Sequence, residues 1–152
     1  MKATHQSPTL DDEPGMTPAD LLRGAAVYLK RHGWTKGQFF EQLADTDGPF
    51  VPACASGAIM TVAHGQCVPN GIIRYDETTD PNAAAAARAM RVFANWLDSD
   101  YISDSVEVLP VSYLDVIGDW NDDKGRTLDE VVQALTDAAD DWDRAHPTGG
   151  AR

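Results

Sequence analysis

The twelve residues from Asp119 to Glu130, DWNDDKGRTLDE, carry oxygen-bearing side chains at the spacing of a calcium-binding loop. An EF-hand binds calcium through loop positions one, three, five, seven, nine and twelve, with a glycine at position six. The residues that match these positions are Asp119, Asn121, Asp123, Thr127 and Glu130. The glycine is displaced by one position, because Lys124 is sixth and Gly125 is seventh. A calcium-binding helix–loop–helix is therefore one alternative interpretation of this segment.

The same residues are also those of a tight joint between two helices, which needs no metal. Thr127 and Glu130 have the spacing of a capping box that begins a helix, and Gly125 permits a left-handed turn. Asn121 and Asp122 have short polar side chains that commonly bond to backbone in tight connections. We favour this interpretation, in which the Asn–Asp pair is structural and also bonds across to the turn near residue 33.

Cys54 is a second candidate for chemistry, since it follows Pro52 closely and stands near the predicted start of a helix. A helix N-terminus lowers the pKa of a cysteine by stabilising its thiolate. A cysteine nucleophile also needs an imidazole within hydrogen-bond reach. His64 lies further along the same predicted helix, about 15 Å away along its axis. A cysteine-dependent hydrolase or transferase would therefore use Cys54 with His32 as base and Asp122 as orienting group.

The tetrapeptide HGQC places His64 and Cys67 at the spacing of one pair of zinc ligands, to which Cys54 or His32 could be added. A structural zinc site normally has four ligands, arranged as two close pairs. Only one such pair is present, so we predict no metal here. A phosphate-binding glycine loop, a serine elbow and a dinucleotide fingerprint are also missing from the sequence. We therefore predict no cofactor.

The candidate residues lie on or next to predicted helices. Start and stop signals for helices recur along the chain. Thr17, Asp80 and Thr127 are predicted N-caps, each followed by an apolar face at helical spacing. Helices are also predicted for ACASGAIMTVAHG and SYLDVIGDW, and a short one from Thr35 to Ala44. GIIRY and VEVL are candidate strands. The sequence thus predicts a mainly α fold, a single compact domain of five or six helices with at most one or two short strands.

The predicted domain occupies residues 17–145, between disordered tails at residues 1–16 and 146–152. No apolar run approaches the roughly 20 residues that span a bilayer, and the N-terminus lacks the apolar core of a signal peptide. Two cysteines are too few for a disulfide scaffold, and they are expected to be reduced thiols. We therefore expect a cytoplasmic protein that does not bind membranes.

Three stretches of the chain carry distinctive residues: LLRGAAVYLKRHGWTKGQFFE, PACASGAI and WNDDKGRTLDEVVQAL. In these stretches the chain resembles a family of small uncharacterised proteins associated with actinobacteria and their phages. The landmarks of the resemblance are Gly33, Trp34, Cys54, Trp120, Asn121 and Asp122. The resemblance implies a compact domain built around these landmarks, and it implies no catalytic residue.

Acidic charge is concentrated in the second half of the chain. The net charge is −12, and the chain from Asp76 onward contains six Lys/Arg against seventeen Asp/Glu, a net of −11. Such charge repels phosphate backbones, which disfavours direct nucleic-acid binding, and attracts a basic protein. A more specific hypothesis is mimicry of nucleic acid, in which four acids imitate the spacing of phosphates: Asp129, Asp137, Asp140 and Asp141. The sequence therefore favours a non-enzymatic acidic binding or regulatory module that contacts a protein partner, with its oligomeric state open.

Overall fold

The computed structural model describes residues 16–41, 50–67, 80–98 and 112–147, and these ranges contain five helices. The helices are α1 Pro18–His32, α2 Ala55–His64, α3 Pro81–Leu97, α4 Ser112–Asn121 and α5 Leu128–Ala145. No strand or sheet occurs within the four ranges. The predicted mainly α fold of five or six helices is confirmed.

Local capping signals determine where the helices begin. At α1, the Thr17 hydroxyl accepts the N–H of Asp20 and the Asp20 carboxylate accepts the N–H of Thr17, each at 3.1 Å. Asp80 caps α3 with its carboxylate, and Thr127 begins α5 with a second reciprocal capping box. Each such cap stabilises its helix by about 1 kcal/mol, because it satisfies N–H groups that have no partner inside the helix.

The short helix predicted from Thr35 to Ala44 is wrong over residues 35–41, and residues 42–44 lie outside the described ranges. The chain instead runs beside Ala53, which forms a parallel bridge with Trp34 and an antiparallel bridge with Phe40. The N–H of Thr35 donates to the Ala53 carbonyl at 3.0 Å. Gly37 has a φ of 79°, a left-handed value that interrupts a helix. Tertiary hydrogen bonds therefore replace the helical ones in this segment.

The hydrophobic core is centred on α1, which packs against α2, α3 and α5. The predicted apolar stripe of α1 is buried, and its members are Leu21, Leu22, Ala25, Tyr28 and Leu29. Gly24 brings α1 close to α2, because a Cβ at this position would lie only 2.8 Å from Cγ1 of Val62. Three aromatic residues of the segment after α1 pack at the edge of the core: Trp34, Phe39 and Phe40.

Several predictions fall on parts of the chain outside the described ranges. The candidate strands GIIRY at residues 71–75 and VEVL at residues 106–109 lie there, as do nearly all residues of the two predicted tails. The domain boundaries at residues 17 and 145 therefore stay a prediction. None of the described helices is long and apolar enough to cross a membrane.

Candidate functional site

Asn121 ends α4 and is fully buried, with 0% of its surface exposed. Its side-chain oxygen accepts hydrogen bonds from the indole N–H of Trp34 at 2.8 Å and the N–H of Ala55 at 3.0 Å. Its amide nitrogen donates to the carbonyl of Thr35 at 3.2 Å and to Oδ1 of Asp122 at 2.9 Å. These four bonds use both hydrogens and both acceptor positions of the carboxamide. One side chain thus joins the end of α4 to the start of α2 and to the turn after α1.

The residues that follow Asn121 bond to the same turn. Oδ1 of Asp122 accepts the N–H of Gly37 at 2.9 Å. The ammonium group of Lys36 donates to the carbonyl of Asp123 at 2.7 Å. The α4–α5 joint and the segment after α1 are therefore one hydrogen-bonded unit. We call this unit the asparagine junction, and it comprises residues 33–37, Ala55 and residues 120–127.

Most oxygen atoms of the candidate calcium loop already bond to groups of the protein. Oδ1 of Asp123 accepts the N–H of Gly125 at 3.2 Å, and Oδ2 lies 3.5 Å from the guanidinium of Arg126. The carboxylate of Glu130 accepts the N–H of Thr127 at 2.9 Å. The Thr127 hydroxyl accepts the N–H of Glu130 at 3.2 Å. These bonds cap α5 and close the turn, which are the functions of a joint.

The two remaining candidate calcium ligands, Asn121 and Asp119, and a nearby arginine also bear on whether the loop binds calcium. Asn121 has no free acceptor position, and Asp119 is exposed on α4. Arg126 donates from Nε to the carbonyl of Trp120 at 2.9 Å, and its guanidinium lies 4.1 Å from the centroid of the Trp120 ring. A fixed positive charge here opposes the binding of a second cation. In the part of the chain that the structure describes, no group of three His, Cys, Asp or Glu side chains is placed to hold a metal. The geometry therefore favours a joint over a calcium loop.

Cys54 is the N-cap of α2, and only 7% of it is exposed. Its sulfur accepts the N–H of Gly57 at 3.4 Å. The pKa of the Cys54 thiol is raised to about 11, chiefly by burial and to a smaller extent by the nearby charge of Asp122, while backbone hydrogen bonds oppose this rise. The start of the helix thus lowers this pKa as expected, but burial has the larger effect, so the expected net lowering is wrong. The thiol is protonated at neutral pH, the unreactive form.

The histidine proposed as a base for Cys54 belongs to an aromatic group on α1. The ring of His32 lies 4.7 Å from the ring of Tyr28 and 5.1 Å from that of Phe50. No hydrogen bond joins Cys54 to a histidine among residues 16–41, 50–67, 80–98 and 112–147. Asp122, the proposed orienting group, acts on the Cys54 thiol as a like charge and disfavours the thiolate. The proposed catalytic set is thus not joined by hydrogen bonds.

The candidate zinc ligands also have separate partners. Nδ1 of His64 lies 3.9 Å from a carboxylate oxygen of Asp80. Tyr28 donates its hydroxyl hydrogen to the carbonyl of Val51 at 2.6 Å, and its oxygen lies 3.1 Å from the sulfur of Cys67. Since the tyrosine hydrogen is already used, the Cys67 thiol is the donor in that contact. His64 and Cys67 therefore take part in two different local arrangements.

The acids proposed to imitate phosphates are partly neutralised by the fold. Arg23 on α1 forms ion pairs with Asp140 and Asp143 on α5, each at 2.7 Å. Asp141 accepts the indole N–H of Trp96 at 2.7 Å. These contacts attach the second half of α5 to α1 and α3. The negative charge of these aspartates is therefore only partly available to a partner.

Three other acids have no such contacts. Asp115 and Asp119 are one turn apart on α4, and both are exposed. Asp129 is exposed in the first turn of α5. Among the described residues, none of the three has a hydrogen-bond or ion-pair partner, whereas Asp137 accepts a hydrogen bond from Gln133 at 2.8 Å. We call Asp115, Asp119 and Asp129 the unpaired acids.

Sequence reasoning missed several residues that the structure places at these sites. Lys36, Gly37 and Arg126 belong to the asparagine junction, and Arg23 neutralises two acids of α5. Of these residues, Gly37 alone carries a signal in the sequence, because a glycine in a polar stretch is typical of a turn. The Arg23–Asp140 pair joins residues 117 positions apart, and nothing in a single sequence indicates it.

The structure defines a small, mainly α domain in which a buried asparagine at the end of α4 bonds to the start of α2 and to the turn after α1. The chain belongs to a family of unknown function, DUF6197, and the match covers residues 13–141. This range contains the asparagine junction, Cys54 and the unpaired acids. No curated protein and no solved structure matches the chain.

Proposed function

We propose that the protein is a non-enzymatic binding or regulatory module whose unpaired acids contact a basic protein partner. The proposal rests on the exposure of Asp115, Asp119 and Asp129, which have no hydrogen-bond or ion-pair partner in the part of the chain that the structure describes. Carboxylates of this kind are available to lysine and arginine side chains of another protein. The binding surface is therefore on α4 and the first turn of α5.

The charge of the whole chain supports an electrostatic mode of binding. A net charge of −12 attracts a basic partner over a distance of about 10 Å at moderate salt. The same charge opposes direct contact with nucleic acid, whose phosphates are also negative. Of the four acids proposed to imitate phosphates, only Asp129 has no hydrogen-bond or ion-pair partner among the described residues. This favours a protein-binding surface that includes α4 over imitation of nucleic acid by α5.

Two finer proposals accompany the function. Cys54 and Cys67 are both free thiols, which supports a cytoplasmic location. The resemblance at the Gly33–Trp34 turn and the Trp-Asn-Asp segment supports an origin in actinobacteria or their phages. Neither affects the binding surface.

The proposal is tested by affinity capture with three forms of the protein. Parent protein is compared with the double variant Asp115→Asn/Asp119→Asn and with Glu41→Lys, which changes the net charge by the same +2 outside α4 and α5. We expect the parent and Glu41→Lys to capture the same basic protein at about 0.05 M NaCl and to lose it at about 0.5 M, where the charges are screened. The double variant should capture much less at the lower salt.

Two results would contradict the proposal. One is that the parent captures no protein at either salt concentration. The other is that Glu41→Lys loses the partner as fully as the double variant does, which would show dependence on net charge alone. Melting temperatures of both variants close to that of the parent would confirm that folding is intact.

A further inference from the structure

An open groove of about 290 Å³ lies between the last turns of α1 and the second half of α2. Val27, Phe50 and Val62 form its apolar lining. Val27 is 51% exposed and Phe50 is 38% exposed, and both are among the four exposed large apolar side chains of the described residues. We call this the α1–α2 groove. Apolar side chains concentrated on one exposed surface are typical of a site that contacts another molecule.

One wall of the groove is held in place by contacts of its own. Tyr28 is buried and donates its hydroxyl hydrogen to the Val51 carbonyl, next to Phe50. The Tyr28 ring packs edge-on against Phe50 at 6.1 Å and lies beside His32 at 4.7 Å. These contacts fix the position of Phe50 at the groove. A preformed surface of this kind loses little conformational entropy when a ligand binds.

The charge at the groove is opposite in sign to that of the whole protein. Arg31 lines the groove and is exposed, and it has no ion-pair or hydrogen-bond partner within residues 16–41, 50–67, 80–98 and 112–147. Two other cations nearby in the sequence already have partners. Arg23 forms ion pairs with two acids of α5, and Lys36 donates a hydrogen bond within the asparagine junction. Lys30 is also exposed and has no partner among the described residues, but it does not line the groove. The groove therefore combines an apolar lining with one available guanidinium.

We propose that the α1–α2 groove binds an acidic amphipathic peptide segment of a partner protein. An apolar side chain of the segment packs against Val27 and Phe50, and a neighbouring carboxylate pairs with Arg31. A guanidinium binds a carboxylate with two parallel hydrogen bonds, which gives the contact a defined direction. The groove is open along one side, so a peptide laid along it fits better than a small molecule that needs most of its surface buried. This site is separate from the unpaired acids, which contact a partner of opposite charge.

Fluorescence anisotropy with full-length protein and a labelled hexapeptide of alternating leucine and glutamate tests the proposal. The matched variants are Arg31→Gln and Lys30→Gln, which remove the same charge from adjacent exposed positions. We expect saturable binding by the parent, weakened about fivefold by Arg31→Gln and by less than about twofold by Lys30→Gln. Val27→Ser, an exposed position, should also weaken binding. A peptide with serine in place of leucine should not bind.

Several results would overturn the proposal. Absence of saturable binding up to about 1 mM peptide would show that the groove does not recognise this chemistry. Equal weakening by Arg31→Gln and Lys30→Gln would assign the effect to general charge. Equal affinity for the serine peptide would exclude the apolar contact.

Discussion

Replacing Asn121 with alanine is the most informative perturbation of the asparagine junction. The substitution removes all four side-chain hydrogen bonds of a residue that is 0% exposed. It leaves the indole N–H of Trp34, the N–H of Ala55 and the carbonyl of Thr35 without this partner. The three groups belong to the start of α2 and the turn after α1. The variant therefore tests whether Asn121 holds these segments together.

The magnitude follows from the groups left unpaired. A buried donor or acceptor without a partner costs about 1–3 kcal/mol. Water entering the space of the lost carboxamide compensates part of this for Trp34 and Thr35, whose bonds to Asn121 are only partly buried. The N–H of Ala55 is buried and is compensated least. We expect the free energy of unfolding to fall by about 2–4 kcal/mol. The melting temperature should fall by roughly 5–15 °C for a chain of this length.

Thermal unfolding followed by circular dichroism, together with urea denaturation, measures the effect. The matched control is Asn82→Ala, an exposed asparagine in the first turn of α3, which should change stability by less than about 0.5 kcal/mol. Asn121→Asp keeps the size of the side chain, but it replaces the amide nitrogen that donates to Thr35 and Asp122 with a carboxylate oxygen, which can only accept. Burial and Asp122 raise the pKa of the introduced carboxyl in the folded state, so its stability loss should shrink as the pH falls through that value. Equal stability of Asn121→Ala and Asn82→Ala would show that Asn121 does not hold the three segments together.

Three further predictions concern the surroundings of the junction. Gly57→Ala should destabilise the fold by about 2–3 kcal/mol, because its Cβ would lie 2.4 Å from the Phe39 carbonyl oxygen, whereas Gly118→Ala, with nothing within 4 Å, should be neutral or stabilising by up to about 1 kcal/mol. Urea denaturation measures both, and equal losses would contradict the packing described. Cys54 should react with iodoacetamide more slowly than the more exposed Cys67 at neutral pH, and its rate should rise as the pH approaches its pKa of about 11. Peptide mass spectrometry measures the two rates, and faster labelling of Cys54 would support the hydrolase or transferase alternative. About 1 mM calcium should leave the melting temperature of the parent unchanged. A marked rise that is lost in Asn121→Ala would instead support a calcium loop.

The helices could be predicted from the sequence because their signals are local. Thr17, Asp80 and Thr127 each precede a helix by one residue, and each caps it as the side chain suggests. The stop at Gly65 is equally local, since its φ of 79° is one that glycine adopts without strain. The interactions that define these ends lie within four residues. A single sequence therefore contains them.

The errors arose where distant residues decide the outcome. The apolar spacing from Thr35 to Ala44 resembles a helical face, but the backbone of residues 35–41 bonds to residues 52–54, and Gly37 bonds to Asp122. The pKa of Cys54 depends on how deeply α2 is buried, which the position of the cysteine in its helix does not show. The partners of Asn121 are likewise 66 to 87 positions away, apart from its neighbour Asp122. The sequence suggested a bond to the turn near residue 33 but not the bond to Ala55.

Carbodiimide cross-linking of the captured complex tests the proposed function most directly. The reagent joins a carboxylate to a lysine amine as an amide, with loss of water, only where the two groups already touch. Mass spectrometry of the digested complex then identifies which acids were in contact with the partner. We expect the cross-links to concentrate on the unpaired acids, Asp115, Asp119 and Asp129. Cross-links confined to the paired acids Asp140 and Asp143, or their complete absence from a stable complex, would contradict the proposed function.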